Sequence, residues 1–564
     1  MLGRRGFTVG LIAVVGLAAF LRFWGLGFGL PHLLTRPDEF PILEHTVLAA
    51  EGVFEYEWSV YPPAYLYLHW IWGEFWLAFQ SIFGIAEGSD YAAIWKSDPS
   101  RIYRVQRGLS AASGCASVLF VGVATARRLG HVAGLGAAFW LAVCFLHARD
   151  SHAVKPDALL SLIASMAIVA SAALAREPTI RRGLAAGVAV GAAGAAKYNG
   201  VVAALPVCVA AWASAWRTGV RGVGVLFPRP LLAAGGMAAF FFVATSPFLL
   251  FNEAAIQMLD DTLRAVFPQA FDSLSETGAD RFEFLVGPTP PEWATQYGRL
   301  GTLWYHAAFS LNHGTGLLAT CLALPAVVWG LFSREWLLRS ASVFVLGWFV
   351  SVAASPVMLA RYMTPLLPAL AILESALLVA LVGALAARFP AFRSGRLRAA
   401  CFAALIGLVG AQPLVSAVSH EQLLRRDDTR ELATRWLAAN TPRGSRISVV
   451  GTHLIPWGAP RLPWGRVPVL HRTAQNVRTQ RVDYVVTHDH ELFWSTPDPG
   501  WMRRNERWLV EVADFDPREG ALGVPTFEVN DAYYVPIAGF SGVTRPGPRV
   551  RVYRVQKGPQ IKRK

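Results

Sequence analysis

The sequence predicts a polytopic α-helical membrane protein of about eleven transmembrane helices, with a small α/β domain at its C-terminal end. Three observations predict this. Of 564 residues, 54% are hydrophobic and 16% charged, and the mean hydropathy is +0.38; a soluble domain carries about 25% charged residues. The hydrophobic residues gather in runs near the roughly 20-residue length that crosses a bilayer. The basic residues, which give a net charge of +14, lie in short clusters between those runs. Such clusters obey the positive-inside rule, and that placement argues against nucleic acid as a partner. Cys115, Cys144, Cys208, Cys321 and Cys401 sit in or beside apolar runs without paired spacing, so they read as small core residues.

Arg4 and Arg5 precede the first run, 7–26, much as in a twin-arginine export signal. That run ends in Phe23-Trp24-Gly25-Leu26 without a small-residue cleavage site, which predicts a retained signal anchor. The remaining spans are predicted at 109–126, 132–146, 158–175, 183–196, 200–216, 231–250, 315–332, 341–358, 364–386 and 399–417. Basic clusters at 127–128, 176–182, 217–229, 334–339 and 388–398 then all fall on the cytoplasmic side. The segment 31–107, the turns 147–157, 197–199 and 361–363, the long loop 251–313 and everything from residue 420 fall outside. Residues 64–85 are rich in Trp and Tyr but interrupted by His69, Glu74 and Gln80, which suits an amphipathic helix along the headgroups. A true span there would invert all that follows.

From Asp427 the texture changes. Residues 427–440 alternate charged and apolar groups at helical spacing and stop at Asn440-Thr441-Pro442. Short β-like runs follow at 446–450, 467–470, 483–487, 532–536 and 550–553. The chain therefore divides into a membrane domain, 1–419, and an extracytoplasmic α/β domain, 420–564. The latter has no Gly-rich phosphate loop and no catalytic cluster, and its tail, 557–564, is basic.

The unusual polar groups near the membrane collect on the outer face. They are Arg36-Pro37-Asp38-Glu39 after the first span, the His147–Asp157 turn with His152, Lys197-Tyr198, and Arg361-Tyr362. Each has a plain structural alternative. Asp38 and Glu39 could cap a solvated loop, Lys197 could snorkel to headgroups, Arg361 and Tyr362 could anchor at the interface, and His152 and Asp157 could order their turn. Small residues before Lys197 favour close backbone packing and hence a lysine inside the protein. An arginine on the outer side opposes the positive-inside bias and favours a specific partner for Arg361. Histidine and carboxylate together permit a divalent cation, but their spacing matches no metal motif and none is required.

Carboxylates and cations at an outer membrane surface suit sugar transfer from a lipid-linked phosphate. The acceptor hydroxyl needs a base, whereas the departing phosphate is a stable anion that needs only cations to hold it. A hydrolase would instead require two carboxyls straddling the bond, which the adjacent Asp38 and Glu39 cannot do.

The chain resembles the GT-C integral-membrane glycosyltransferases. Within them it is similar to the dolichyl-phosphate-mannose–protein mannosyltransferase family and to its bacterial relatives that modify lipid A with aminoarabinose. The resemblance covers nearly the whole chain. It rests on Arg36-Pro37-Asp38-Glu39, Tyr61-Pro62-Pro63, Arg107 to Ser110, Ser151-His152 with Pro156-Asp157, Gly194 to Tyr198, Ala360-Arg361-Tyr362 with Pro365 and Pro368, and Asp428 to Trp436. It implies an inverting transferase with a polyprenyl-phosphate sugar donor and a lipid, glycan or protein acceptor, in a bacterial inner or plasma membrane. Carried over, Asp38 is the general base and Glu39 its neighbour. Lys197, Tyr198, Arg361 and Tyr362 hold the donor phosphate, and Arg36, His152 and Asp157 assist with substrate. The 251–313 loop and the C-terminal domain would shape the acceptor site. Unlike the eukaryotic protein mannosyltransferases, this chain has no repeat domain in that loop. The rival readings are a glycan ligase with a pyrophosphate-linked donor and a non-catalytic lipid transporter or flippase. A transporter would call for charges at mid-span and inverted repeats, whereas the charges here read as lying at span ends.

Overall fold

The computed structural model describes residues 3–54, 61–84, 90–247, 298–353, 355, 358–450, 457–469, 477, 481–492, 495 and 499–556. Most of the predicted 251–313 loop, the strand residue Leu470 and the tail 557–564 lie outside the described residues. The chain divides into two compact units, Met1–Leu26 with Ile42–Ala417, and Gly27–Pro41 with Val418–Lys564.

The first unit is helical. Its elements are α1 (Arg4–Phe23), α2 (Glu39–Ala50, beginning in the second unit), α3 (Pro63–Ile82), α4 (Tyr91–Ser97), α5 (Pro99–Leu129), α6 (His131–Val143), α7 (Phe145–Asp150), α8 (Asp157–Arg176), α9 (Ile180–Ala196), α10 (Ala204–Arg217) and α11 (Arg229–Thr245). After them come α12 (Gly298–Trp304), α13 (Leu317–Phe332), α14 (Trp336–Ala353), α15 (Leu367–Arg388) and α16 (Gly395–Leu424). Among the described residues, each of the eleven predicted apolar runs is mainly helical. Among the described residues, seven helices are long and apolar enough to cross a membrane, and α6, α11 and α13 are shorter apolar helices. The aromatic segment forms α3 and is not among those seven.

Close backbone approach organises one side of this unit. Gly183, Gly187 and Gly191 fall at four-residue spacing on α9, and a Cβ at each would lie 2.2–2.6 Å from a carbonyl oxygen of α11. Only glycine admits such contact, the small-residue packing of membrane helices. Between α5 and α6 the chain reverses at Gly130, whose φ of 93° an L side chain rarely adopts.

The predicted run 132–146 is not one helix. It breaks at Cys144, where ψ is 112°, and α7 resumes at a new angle. Such a break frees carbonyls that lipid cannot satisfy. Arg22 of α1, fully buried, donates to the Leu141 and Ala142 carbonyls, each at 3.0 Å, and to His147 Nδ1 at 2.9 Å. Ionisable side chains are also not confined to span ends. Glu374 lies inside α15, fully buried, and accepts from the Trp140 indole of α6 at 2.9 Å.

In the second unit, α17 (Thr429–Asn440) starts at Asp428, whose side chain caps the Arg430 N–H. The mixed sheet has the order β2-β1-β3-β5-β4, with β1 (Arg446–Val450) parallel to β2 (Val467–Val469) and β3 (Tyr484–Asp489), and β5 (Arg549–Val555) antiparallel to β3 and β4 (Leu509–Phe515). Alternation along β3 sends Val486 to a core with Ala433 and Leu437 of α17, and Val485 to a second core with Trp501. The expectation of a strand at 532–536 is overturned. Tyr533, Tyr534 and Val535 are buried without ladder pairing, packed with Phe28, Leu423 and Phe527. The missed strand is β4, where Glu511 and Asp514 interrupt the apolar pattern on a sheet edge.

Candidate active site

Four helix ends of the membrane unit converge on one polar cluster. Asp157 is the first residue of α8, where the helix dipole favours an anion, and Lys197 directly follows α9, where it favours a cation. Lys197 Nζ donates to Asp157 Oδ1 at 2.7 Å, with side-chain exposures of 14% and 1%. The lysine therefore turns inward and does not snorkel. Its ammonium also lies 4.9 Å from the centre of the Tyr362 ring, a cation–π distance.

Tyr362 belongs to a 3-10 turn, Ala360–Leu366, that three elements hold in place. Trp348 of α14 donates to the Tyr362 carbonyl at 2.7 Å, Ser161 of α8 to the Thr364 carbonyl at 3.0 Å, and the Thr364 hydroxyl to Asp150 Oδ2 of α7 at 2.6 Å. Arg361 is buried on the same turn, its guanidinium 5.9 Å from the Tyr362 ring centre. Arg149 Nε lies 3.4 Å from Asp150 Oδ1, and both are buried, as is Lys155. Arg149, Lys197 and Arg361 thus lie with Asp150 and Asp157 in one largely buried cluster of charges, whose cations can meet an anionic ligand.

Beside the cluster runs an apolar groove of about 510 Å³, lined by Tyr65 and Ile71 of α3, Leu159 and Ile163 of α8, Ala195 and Ala196 of α9, and Phe241 of α11. Its α9 wall ends at the residue before Lys197. Tyr198 packs its ring 6.4 Å from Phe242, and its hydroxyl has no hydrogen-bond partner among the described residues.

Of the residues expected from sequence, Asp157, Lys197, Arg361 and Tyr362 come together in this cluster. His152 is buried, its Nδ1 2.9 Å from the Ala148 carbonyl and its Nε2 3.0 Å from the Trp24 carbonyl. Among the described residues no three His, Cys, Asp or Glu side chains could hold a metal ion. Asp38, Glu39 and Arg36 belong to the second unit. Asp38 is half-buried immediately before α2, while Glu39 is fully buried and donates its N–H to the Arg36 carbonyl at 2.9 Å. Arg36 is buried and paired, as its Nη1 donates to Asp531 Oδ2 at 2.5 Å. Sequence reasoning passed over Asp150, Thr364, Arg149 and Lys155. The signal was a run of six charged or imidazole side chains at 147–157 between two apolar spans, whose pairing across the bundle no local pattern reveals.

Residues 104–251, from α5 through α11, match the model of the family described as dolichyl-phosphate-mannose-protein mannosyltransferase. That segment carries Arg149, Asp150, Asp157, Lys197 and most of the groove. The ArnT structure from Cupriavidus metallidurans bound to undecaprenyl phosphate superposes with a TM-score of 0.51 at 15% identity, covering 99% of this chain and 100% of that one. This is the GT-C glycosyltransferase fold. The same GT-C protein in its apo state gives 0.50 at 15% identity over 97% and 98% of the two chains. An oligosaccharyltransferase from Archaeoglobus fulgidus, tethered with an acceptor peptide, gives 0.46 at 13% identity over 90% and 72%. No curated protein sequence matches the chain.

Proposed function

We propose that this GT-C protein transfers a sugar, with inversion, from a polyprenyl-phosphate donor to a hydroxyl of a lipid, glycan or protein acceptor. The reaction takes place at the extracytoplasmic face of a bacterial inner or plasma membrane. The observation that carries the reading is the cluster of Lys197 and Arg361 beside an apolar groove, which together match a phosphate on a long hydrocarbon chain. The solved ArnT of this fold, with its bound undecaprenyl phosphate, supports the same donor class.

In this reading the acceptor oxygen attacks the anomeric carbon as the bond from that carbon to the phosphate oxygen breaks. The acceptor proton passes to the Asp38 carboxylate, and the polyprenyl phosphate leaves as an anion held by Lys197 and Arg361, with the Tyr198 hydroxyl as a further donor. Asp157 holds Lys197 in place, and Asp150 holds the 360–366 turn through Thr364. Residues 1–419 supply the catalytic machinery in this scheme, and 420–564 an extracytoplasmic domain.

The test is turnover by the purified protein in liposomes supplied with polyprenyl-phosphate sugars or with polyprenyl-pyrophosphate glycans. Mass spectrometry of envelope glycolipids and glycoproteins, with and without the protein, identifies the acceptor. Turnover of pyrophosphate donors alone would replace this reading with that of a glycan ligase. Lipid movement without glycosidic bond formation would replace it with that of a transporter.

A further inference from the structure

We propose that Asp531 and Tyr533 are positioning residues for Asp38, acting through Arg36. The proposal rests on Asp38 being the base.

The segment Gly27–Pro41 belongs to one compact unit with residues 418–564, although nearly 400 positions separate them in sequence. Three side chains of the segment are embedded there. Phe28 meets the Tyr533 ring edge-on at 5.9 Å between ring centres. His32 Nε2 donates to the Ala459 carbonyl at 2.8 Å. Arg36, 1% exposed, donates to Asp531 Oδ2 at 2.5 Å and lays its guanidinium 4.0 Å from the centre of the Tyr533 ring. Tyr533 is itself tied down, its hydroxyl 3.1 Å from His420 Nε2.

Asp38 is two residues from that anchor. Pro37 restricts the backbone between them, and the Arg36 carbonyl accepts the Glu39 N–H at 2.9 Å. The turn that contains Asp38 is therefore closed at both ends, with Arg36 as its fixed point. A misplacement of about 1 Å in a reacting group can cost about a hundredfold in rate, so the anchor bears on catalysis. The chemistry of the anchor points the same way. A buried ion pair is often no more stabilising than apolar residues of equal volume, and in some proteins what it supplies is a defined geometry. With 1% exposure, the Arg36 guanidinium is also poorly placed to touch substrate directly. The C-terminal unit thus holds the catalytic loop, a role separate from acceptor recognition.

The test uses the full-length protein in liposomes, with Asp531→Asn, Asp531→Glu and Tyr533→Leu compared with Asp38→Asn. Asp531→Asn removes the carboxylate facing the buried Arg36 and should lower the thermal midpoint; assayed below that midpoint and corrected for the folded fraction, it is expected to lower kcat tenfold or more with both substrate KM values within twofold of wild type. Asp531→Glu should recover part of the lost kcat. In the Asp38→Asn background, Asp531→Asn should add no further loss, because there is no base left to position. Wild-type kcat in Asp531→Asn, a loss that only tracks the folded fraction, or a rise in KM at constant kcat would each overturn the clamp. Should Tyr533→Leu fail to fold, Asp531→Asn still decides. If Asp38→Asn itself turns over normally, the assignment of the base has failed, which is distinguishable from failure of the clamp alone.

Discussion

Replacing Lys197 with methionine separates a phosphate-binding lysine from a structural one. The side chain is nearly isosteric and its aliphatic stem can keep packing between α8 and the Tyr362 ring. Two things are lost. The first is a charge-assisted hydrogen bond to the donor phosphate, worth about 1.5–3 kcal/mol, which is about 10- to 150-fold in donor affinity. The second is the partner of Asp157, whose carboxylate is 1% exposed and 2.7 Å from the ammonium in the native protein. Stranding a buried carboxylate costs about 3–5 kcal/mol in stability, so the single variant should also melt earlier. The double variant Lys197→Met with Asp157→Asn removes the stranded charge. It should recover most of the thermal midpoint while donor KM stays about 10- to 150-fold raised and acceptor KM stays near wild type. The assay is steady-state transfer in liposomes, with donor and acceptor varied independently, beside tryptophan-fluorescence melting. If the double variant regains wild-type donor KM, or if both KM values rise together, Lys197 holds the fold and not the phosphate.

Three further outcomes follow from the same structure. Asp38→Asn should lower turnover by about 10²–10⁴ while the protein stays folded and membrane-embedded; normal turnover would move the base elsewhere. The C-terminal unit should lose stability in acid. Burial, then the Arg430 charge, pushes His32 from 6.5 down to about 4, so below pH 6.5 only the unfolded chain takes the proton, at a cost reaching about 3 kcal/mol near pH 4. Burial works to raise Asp428, but the Arg430 guanidinium, bidentate at 2.7–2.8 Å, overrides it and holds the carboxyl below 3.8. Its contribution is complete above that value and is lost as the pH falls through its lower folded value. His32→Gln should therefore reduce the pH dependence of the melting temperature between pH 6.5 and 4, where the buried His490 keeps its own share, and a change confined to lower pH would count against the buried imidazole. Gly187→Leu should disrupt α9–α11 packing, because a Cβ there already lies 2.3 Å from the Ala234 carbonyl, at a cost of about 1–3 kcal/mol or more. Among the described residues a Cβ at Gly235 meets no atom within 4 Å, and Gly235→Ala should leave detergent-solubilised yield and melting unchanged.

The sequence by itself determined the helical membrane architecture, because a chain rich in 20-residue apolar runs can satisfy its backbone in lipid only by coiling. It also determined which polar residues are expensive. Lys197, Asp157 and Arg361 stand out where apolar runs end, and charge alone marks them as needing partners. Only the tertiary structure decided who those partners are. Asp150 and Thr364 are 214 residues apart and Arg36 and Asp531 are 495 apart, and neither pair leaves a local trace. The break at Cys144 was invisible for the same reason, since it depends on Arg22, 119–120 positions upstream of the carbonyls it caps. The segment 532–536 carries strand propensity, yet its aromatic rings are buried against Phe28 and Leu423 outside the sheet, while β4, with two carboxylates, takes the edge. Propensity and periodicity act over a few residues, whereas desolvation of a buried charge or ring is settled by whatever the fold brings beside it. That is why Arg36, which in sequence reads as a residue for substrate, is found in the folded protein buried against Asp531 and Tyr533.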